Sequence, residues 1–321
     1  MGMEMPDPLQ IFAALADPTR LRILALLREM ELSVGELAQV LGQSQPRVSR
    51  HIRILADAGI AARRREGSWT FLGLGETGRT RPLLEALDSW TAGSGEDHWT
   101  IADRARLAAV RAERARQAED YFNAHAAAWD AIRSLHVAEA EVEAAMRDLL
   151  GPEPPGRLVD IGTGTGRMIK LFGATADRAV GIDRSPEMLR MARAKLAQAG
   201  LSRAELHQGD MYALPLPSAS ADLVILHQVL HYAQQPEAAV AEAARILAPN
   251  GRLLIADFGP HEREDLRDRH AHARLGFSDA QIVAWFAAAG LRAHPPQRLA
   301  GEELTVHLWL GQRPPQEETS L

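Results

Sequence analysis

The sequence predicts an α/β chain of two domains, a small helical domain that ends in a β-hairpin and a larger domain with a mostly parallel sheet. The chain has 321 residues, about twice the usual domain size. Its first 92 residues contain helical patterns followed by two short strand patterns, whereas residues 157 to about 311 alternate between apolar strands and helices. The turn-rich segments TAGSGED and GPEPPG separate these parts from a middle stretch without glycine or proline.

Composition limits the functions that are open to the chain. Hydrophobic residues at 46% and charged residues at 24% are ordinary for a soluble globular protein. Neither a long apolar run nor a signal-peptide pattern is present, so we expect a cytoplasmic protein with no membrane partner. The absence of cysteine excludes disulfides, thiolate metal sites and cysteine nucleophiles. A net charge of -6 argues against general coating by nucleic acid but leaves a local basic face possible.

Helix boundaries are well marked in the first part. Asp17 and Pro18 open an amphipathic helix in LADPTRLRILALL. The segment VGELAQVLG then predicts a short helix that stops at Gly42, and after the turn QSQ a second helix starts at Pro46 and ends before Gly59. This spacing predicts a helix-turn-helix.

The second helix of that pair has an apolar and a polar face. Val48, Ile52 and Leu55 share the apolar face at helical spacing. The opposite side carries the residues that we predict to read DNA, which are Gln45, Arg47, Ser49, Arg50 and Arg53.

Two strand patterns around EGS predict a hairpin, the wing of a winged helix-turn-helix domain over residues 1–95. The wing contributes Arg63, Arg64 and Arg65. From Gln45 to Thr70 six arginines stand against two acidic residues, a local charge of +4, so positive charge is concentrated where DNA would lie.

The segment from Leu15 to Leu74 resembles the ArsR/SmtB winged-helix repressors in LADPTRLRIL, in the helix Q-x-x-V-S-x-H-I-x-x-L-x-x-A-G-I and in the arginine-rich wing. The resemblance implies a homodimer on a pseudo-palindromic, double-stranded operator, with arginine and glutamine at base edges and wing arginines at phosphates. Metal-sensing members carry two cysteines where this chain has Ser33 and Gly35. We therefore predict no metal site.

The middle stretch, residues 96–150, is rich in helix-forming residues and predicts one or two long helices. It can serve as a linker, a dimerisation element or a cover over a cofactor, and a solvated connecting helix is an equal alternative. The final segment, residues 313–321, is predicted to be disordered.

The larger domain begins with RLVDIGTGTGRM, an apolar strand that breaks at Gly162, Gly164 and Gly166 before a helix. This D-x-G-x-G-x-G pattern differs from the G-x-G-x-x-G of dinucleotide-binding loops. Asp160 would repel a pyrophosphate but suits the ammonium and sulfonium of S-adenosylmethionine. Charge thus favours that cofactor over NAD.

Later strands end in further polar residues. Asp183 ends a strand 23 residues after Asp160, a spacing that suits a ribose diol. Asp210 follows a third strand and can accept from an adenine amino group, while Met211 can pack on the ring. A fourth strand ends near His227, on the same side of the sheet.

In this order DIGTGTG, GID, GDM, DLVILHQVLHY and LAPNGRLLIADF resemble class I S-adenosylmethionine-dependent methyltransferases, in particular those of ubiquinone and menaquinone biosynthesis, over residues 119–311. The resemblance implies a Rossmann-like domain at 151–312 with a mostly parallel seven-stranded sheet. It also implies S-adenosylmethionine as cofactor, S-adenosylhomocysteine as product, and a covering helix in which Tyr121, Phe122 and Trp129 are lid candidates; core packing is the alternative. The cofactor-binding residues predicted are Tyr121, Trp129, Asp160, Gly162, Thr163, Gly164, Gly166, Asp183, Arg184, Met188, Asp210, Met211 and His227.

Methyl transfer needs little protein chemistry beyond positioning, although a general base helps a hydroxyl or amine acceptor. Of the histidines at the predicted crevice, which are His227, His231, His261, His270 and His272, we favour His227 and His261 as catalytic; structural or surface histidines are the alternative.

The chain lacks both the N/D-P-P-Y/F loop of DNA amino-methyltransferases and the cysteines of arsenite methyltransferases, so a small-molecule acceptor is expected. The chief alternative to this regulator with an active methyltransferase is a non-catalytic repressor that senses S-adenosylmethionine or S-adenosylhomocysteine. A structural-only domain is a third possibility.

Overall fold

A computed structural model describes residues 8–66, 69–75, 77–91, 97–125 and 138–315. The chain forms two compact units, the first extending to Arg116 and the second starting at Gln117. In the described parts no helix combines the length and the apolar composition that crossing a membrane requires.

The first unit combines helices with a small antiparallel sheet. Its elements are α1 (Pro8–Leu15), α2 (Pro18–Glu29), β1 (Leu32–Ser33), α3 (Val34–Leu41), α4 (Gln45–Asp57), β2 (Ala61–Glu66), β3 (Trp69–Leu74), α5 (Thr77–Thr91) and the first part of α6 (His98–His125). The sheet order is β1-β3-β2, and both outer strands pair antiparallel with β3. The predicted helix-turn-helix and hairpin are α3–α4 and β2–β3; α1 and α5 had not been predicted.

Local hydrogen bonds explain where these helices begin and end. The Asp17 side chain caps α2 by accepting from Arg20 N at 3.0 Å. Ser33 and Glu36 form a reciprocal capping box at the start of α3, and Gly42 ends that helix with a left-handed φ of 64°.

The start of α6 belongs to the core of the first unit. Leu107 and Val110 are buried in the same apolar cluster as the residues of α2, α3 and α4. Asp103 is also buried and accepts two hydrogen bonds of 2.6 Å from the Arg22 guanidinium. The charged first half of the middle stretch therefore packs on the helix-turn-helix through its few apolar residues and a paired carboxylate.

The second unit is a layered α/β domain. Its further elements are α7 (Glu139–Leu150), β4 (Arg157–Ile161), α8 (Arg167–Phe172), β5 (Arg178–Asp183), α9 (Pro186–Gln198), β6 (Glu205–Gln208), β7 (Ala221–His227), a 3-10 helix (Leu230–Tyr232), α10 (Pro236–Ile246), β8 (Leu247–Phe258), α11 (Asp265–His270), α12 (Asp279–Ala288), β9 (Arg292–Ala293), β10 (Gln297–Ala300) and β11 (Thr305–Gln312).

The strands form one sheet in the order β10-β11-β8-β7-β4-β5-β6, with the short β9 paired to β11. The pairs from β6 through β8 are parallel, and β11 runs antiparallel between β8 and β10. The predicted seven strands are present, and the two-residue β9 is an addition.

Both faces of this sheet are covered. In β4, Leu158 belongs to one apolar cluster and Val159 to another, and in β7 Ile225 and Val224 divide in the same way. Because successive strand residues point to opposite faces, each face packs on its own layer of helices. The polar residues that end β4, β5 and β7 lie at the carboxyl edge of the parallel strands.

Candidate functional site

The loop after β4 is built around glycines in left-handed conformations. Gly162, Gly164 and Gly166 have φ values of 69°, 52° and 84°. A Cβ added at Gly162 would lie 2.3 Å from Val229 Cγ2, so only glycine fits against the segment that follows β7. Glycine at position 162 therefore allows the loop to lie directly against Val229, which follows β7.

Two carboxylates fix the loop. Asp160 is buried, and its Oδ2 accepts from Thr163 Oγ1 at 2.6 Å. Asp183, at the end of β5, accepts from Gly164 N at 2.8 Å through Oδ2 and from Ser185 N at 2.9 Å through Oδ1. The predicted carboxylates thus lie on one loop system, and the Asp183 carboxylate keeps the capacity to accept from a ligand hydroxyl.

Burial is the main influence on the protonation of Asp183. Burial raises the pKa of the Asp183 carboxyl, and backbone hydrogen bonds from Ser185, Gly164 and Arg184 oppose this by lowering it. A ligand hydroxyl that donates to this carboxylate would act in the same direction as those amides.

The other predicted cofactor residues divide by exposure. Asp210 is exposed after β6, and its Oδ1 accepts from Tyr212 N at 3.1 Å. Met211 is half-buried and packs on the apolar cluster that contains Val159 and Val224. Arg184 is exposed, and Met188 is buried. Trp129 lies outside the described residues.

Tyr121 and Phe122 lie at the end of α6, in the second unit. Tyr121 Oη and His270 Nδ1 are 2.8 Å apart, and Phe122 contacts the Tyr232 ring edge-on with ring centroids 4.7 Å apart. Burial raises the pKa of Tyr121 to about 12. Both residues also pack on the cluster that Met188 and Tyr232 form, so the lid candidates lie against the elements that follow β5 and β7, and Tyr121 also reaches His270, which follows β8.

The two histidines favoured as catalytic occupy different surroundings. His227 is buried at the last position of β7. His261 is half-buried, its backbone N donates to Leu275 O, and its Nδ1 accepts from Arg263 N at 3.2 Å.

A third histidine, His231, has a carboxylate partner. His231 Nδ1 lies 2.7 Å from Asp257 Oδ1, and both residues are buried. Asp257 ends the parallel part of β8, and its oxygens also accept from the backbone N atoms of Leu230, His231 and Phe258. Sequence reasoning had considered His231 without favouring it and had not singled out Asp257. A polar residue within the apolar strand LLIADF was the one indication of it.

Several aromatic and imidazole rings surround His231. Ring centroids of Tyr232, His272 and Phe258 lie 4.0, 4.2 and 5.0 Å from that of His231. Among the residues that the structure describes, no group of three or more histidine, aspartate or glutamate side chains is arranged to hold a metal ion.

The predicted DNA-reading residues lie mainly on the open face of α4. Val48, Ile52 and Leu55 are buried, and Ser49 is half-buried. The remaining predicted residues of this helix are exposed, namely Gln45, Arg47, Arg50 and Arg53. The amphipathic pattern therefore oriented this helix as expected.

The three wing arginines differ in exposure and in their partners. Arg63 and Arg65 are exposed on β2. Arg64 pairs with Glu31, with Nη2 and Oε2 2.7 Å apart, and its guanidinium lies 5.2 Å from the centre of the Phe71 ring. Because strand side chains alternate, the middle arginine faces the body of the unit.

Comparisons with known proteins match two separate segments of the chain. The family described as bacterial regulatory protein, arsR family, matches residues 17–63, and the family described as methyltransferase domain matches residues 159–255. The arsenical resistance operon repressor of Escherichia coli is 37% identical over 105 residues, which cover 32% of this chain and 82% of the repressor.

The second unit has relatives of its own. A demethylmenaquinone methyltransferase of Thermus thermophilus is 36% identical over 115 residues, 35% of this chain and 52% of that protein. A protein of Haloferax volcanii, named as a methyltransferase and solved with the Trm112 methyltransferase activator, superposes with a TM-score of 0.53 at 24% identity, over 63% of this chain and 99% of its own.

The chain spans about half the length of the curated methyltransferases that it matches. The matched segment nevertheless contains the glycine loop, Asp183, Asp210 and His231. The repressor is covered over most of its length, and its matched family includes the helix-turn-helix. The chain belongs to the arsR family of bacterial regulatory proteins, and its second unit is a methyltransferase domain of the Rossmann-like, class I fold.

Proposed function

We propose that this chain is a DNA-binding transcriptional regulator whose second unit binds S-adenosylmethionine and transfers its methyl group to a small-molecule acceptor. The observation that carries the proposal is the glycine loop with Asp160 and Asp183 at the carboxyl ends of β4 and β5. β4 lies between β5 and β7, where the strand order reverses, and ligands of open parallel sheets bind at such points.

The donor set at this edge fits the cofactor. Asp160 is a buried carboxylate, and a cationic ligand would offset its charge. Asp183 is held by backbone amides in a position to accept from a ribose diol, and the exposed Asp210 can accept from an adenine amino group. When bound, the cofactor supplies an electrophilic methyl group and ends as S-adenosylhomocysteine.

The DNA-binding part of the proposal rests on exposed arginines. Arg47, Arg50 and Arg53 project from the face of α4 opposite its buried side, and Arg63 and Arg65 are exposed on the wing. Arginine suits guanine edges and phosphates, so this surface fits double-stranded operator DNA. Arg64 is assigned to the unit's own stability rather than to phosphate binding because of its pair with Glu31.

We further propose that the chain is a homodimer. Leu9 and Phe12 on α1 are 73% and 57% exposed, and Trp90 on α5 is 67% exposed. Large exposed apolar side chains favour a protein contact, and a second copy is the partner that a two-fold symmetric operator requires. Analytical ultracentrifugation should give twice the chain mass, and Phe12→Glu should give the single-chain mass.

The first test is calorimetric titration with S-adenosylmethionine and S-adenosylhomocysteine, repeated with the protein bound to DNA from its own promoter. Binding of both ligands by wild type and loss of binding in Asp183→Ala would support the cofactor site. Glu205→Ala, which alters a carboxylate paired with Arg178 on the neighbouring β6, is the matched control and should bind normally. No binding of either ligand by wild type would refute the proposed function of the second unit.

A second candidate is a non-catalytic sensor of the same ligands, and α6 is the observation that favours it. The helix contributes Leu107 and Val110 to the core of the first unit and Tyr121 and Phe122 to the second. A ligand that changes the end of α6 can therefore alter DNA affinity, provided that it binds the two states with different affinity. Ligand-dependent DNA binding without turnover of any acceptor would favour the sensor.

A further inference from the structure

We propose that His231 is the general base of the methyl transfer, that Asp257 positions it, and that the acceptor is an aromatic hydroxyl compound bound among the surrounding rings. This inference rests on the proposed methyltransferase function. It replaces His227 and His261 as the favoured bases and names an acceptor class.

The orientation of the His231 ring is determined by Asp257. The carboxylate accepts three backbone hydrogen bonds in addition to its contact with the ring. A carboxylate in this role accepts only, so Nδ1 must carry the ring proton and the neutral ring has its lone pair at Nε2. A carboxylate holds the tautomer of the general-base histidine in this way in the Ser-His-Asp triad.

The other ring nitrogen of His231, Nε2, has no hydrogen-bond partner within the described part of the chain. The residue is 1% exposed, and Nε2 is buried without a hydrogen bond to any residue that the structure describes. Burying a polar atom without a partner is unfavourable, and such atoms are uncommon in folded proteins. A ligand hydroxyl that donates to Nε2 would satisfy it.

The position of the pair also fits the reaction. His231 lies in the 3-10 helix directly after β7, and Asp257 lies at the end of the parallel part of β8. These strands follow β4 in the sheet, so the pair stands at the same carboxyl edge as the glycine loop. Val229, two residues before His231, contacts the Gly162 position directly.

The surroundings select a planar, mainly apolar acceptor. Tyr232, Phe258 and His272 are buried beside His231, and the Phe122 ring contacts the Tyr232 ring. Aromatic rings pack well on one another in offset or edge-on geometry. Phe122, Tyr121 and His270 are only half-buried, so the acceptor enters on their side.

The acidity of the acceptor hydroxyl favours a phenol over an alkyl alcohol. An imidazole ordinarily titrates near pKa ~6.5 and a phenol near ~10, a gap of about 3.5 pKa units, whereas water lies near ~15.7. A neutral imidazole can therefore assist a phenol far better than an alkyl hydroxyl. In the step, the hydroxyl proton would move to Nε2 while the hydroxyl oxygen forms the new bond to the methyl carbon. The bond between that carbon and the sulfur would break with its electron pair left on sulfur, so that S-adenosylhomocysteine leaves, and the imidazolium would afterwards give its proton to water.

The test uses 4-nitrophenol as a reporter of ionisation and 4-nitroanisole as its matched non-ionisable ether. Both are titrated into the full chain with S-adenosylhomocysteine present, at a pH where free 4-nitrophenol is protonated. The phenolate absorption band should appear on binding, and 4-nitrophenol should bind about 10-fold to 100-fold more tightly than 4-nitroanisole, as expected for a hydrogen bond that gains charge.

Variants assign the effect to the pair. His231→Asn should abolish the band and bring the affinity ratio of the two probes close to one. Asp257→Asn should abolish the band because an amide can donate to Nδ1 and leave the proton at Nε2. His294→Asn, a histidine beyond β9 and outside the ring cluster, should behave as wild type. Unchanged S-adenosylhomocysteine affinity and circular dichroism verify the fold of each variant.

Each other outcome overturns a definite part of the proposal. Equal binding of the two probes by wild type without a phenolate band, or a band that persists in His231→Asn, refutes the base. Failure of both probes to bind while S-adenosylhomocysteine still binds refutes the aromatic acceptor and leaves the proposed function intact. The wild-type measurement alone can refute the hypothesis that His231 is the general base. The test therefore remains decisive even if a variant fails to fold.

Discussion

Replacing Gly162 by alanine tests whether the glycine loop is shaped by close packing as well as by backbone conformation. At this position φ is 69°, and an added Cβ would lie 2.3 Å from Val229 Cγ2 and 2.9 Å from its Cβ. The left-handed conformation costs an L-residue about 1–2 kcal/mol, and overpacking costs about 1–3 kcal/mol more, so the expected loss is about 2–5 kcal/mol.

Gly200→Ala is the matched control. Gly200 has a similar φ of 75°, but an added Cβ would meet nothing within 4 Å. This variant should lose only the conformational part, about 1–2 kcal/mol. The difference between the two variants therefore measures the packing of the loop against Val229.

Urea unfolding followed by circular dichroism is the assay. The transition of the methyltransferase domain is identified by its shift to higher urea when S-adenosylhomocysteine is added, since a ligand stabilises the unit that binds it. Equal destabilisation by Gly162→Ala and Gly200→Ala would refute the packing argument, and it would mean that Val229 moves aside at little cost.

Three further predictions concern charge. The double variant Arg50→Ala/Arg53→Ala should bind the operator more weakly. Fluorescence anisotropy at several salt concentrations should show that the negative slope of log affinity against log salt becomes shallower by about one for each phosphate that is no longer neutralised. An unchanged slope would exclude phosphate binding by these arginines. Asp103→Ala removes the buried carboxylate that pairs with the half-buried Arg22 and should destabilise the first unit by about 1–3 kcal/mol in urea unfolding, whereas Asp88→Ala, which breaks an exposed pair with Arg28, should destabilise it much less. Because burial raises the pKa of Tyr121 to about 12 from 10.0, the protonated phenol is favoured by folding; the stability it contributes is complete below pH 10 and is lost as pH rises toward 12. Alkaline titration of tyrosine ultraviolet absorbance in wild type and in Tyr121→Phe gives the ionisation of Tyr121 as the difference between the two curves. The midpoint of that difference should lie near pH 12, and a midpoint near pH 10 would contradict the prediction.

Features that depend on neighbouring residues in the chain were predictable. The helix-turn-helix follows from caps, a stop at Gly42 and one apolar stripe, all local properties, and the structure has it at the predicted place. The glycine loop and the ends of β4 and β5 follow from an apolar strand that meets a glycine run, so the positions of Asp160 and Asp183 in the fold could be predicted in the same way.

Features that depend on residues far apart in the chain were missed. His231 and Asp257 are separated by 26 positions, and only the parallel pairing of β7 with β8 brings them together. Arg64 stood in a run of three arginines, but its role depends on Glu31, which lies 33 positions earlier. Composition could not assign these roles because it carries no information about which strands become neighbours.

The burial of the start of α6 bears on how the two halves can be separated by truncation. A fragment that ends at the compositional break near residue 95 would lack Leu107 and Val110, which belong to the core of the first unit, and would leave Arg22 without the Asp103 carboxylate. A fragment that extends to Arg116 keeps all of these interactions. Proteases should likewise spare the start of α6 up to Arg116, because it packs in the core of the first unit.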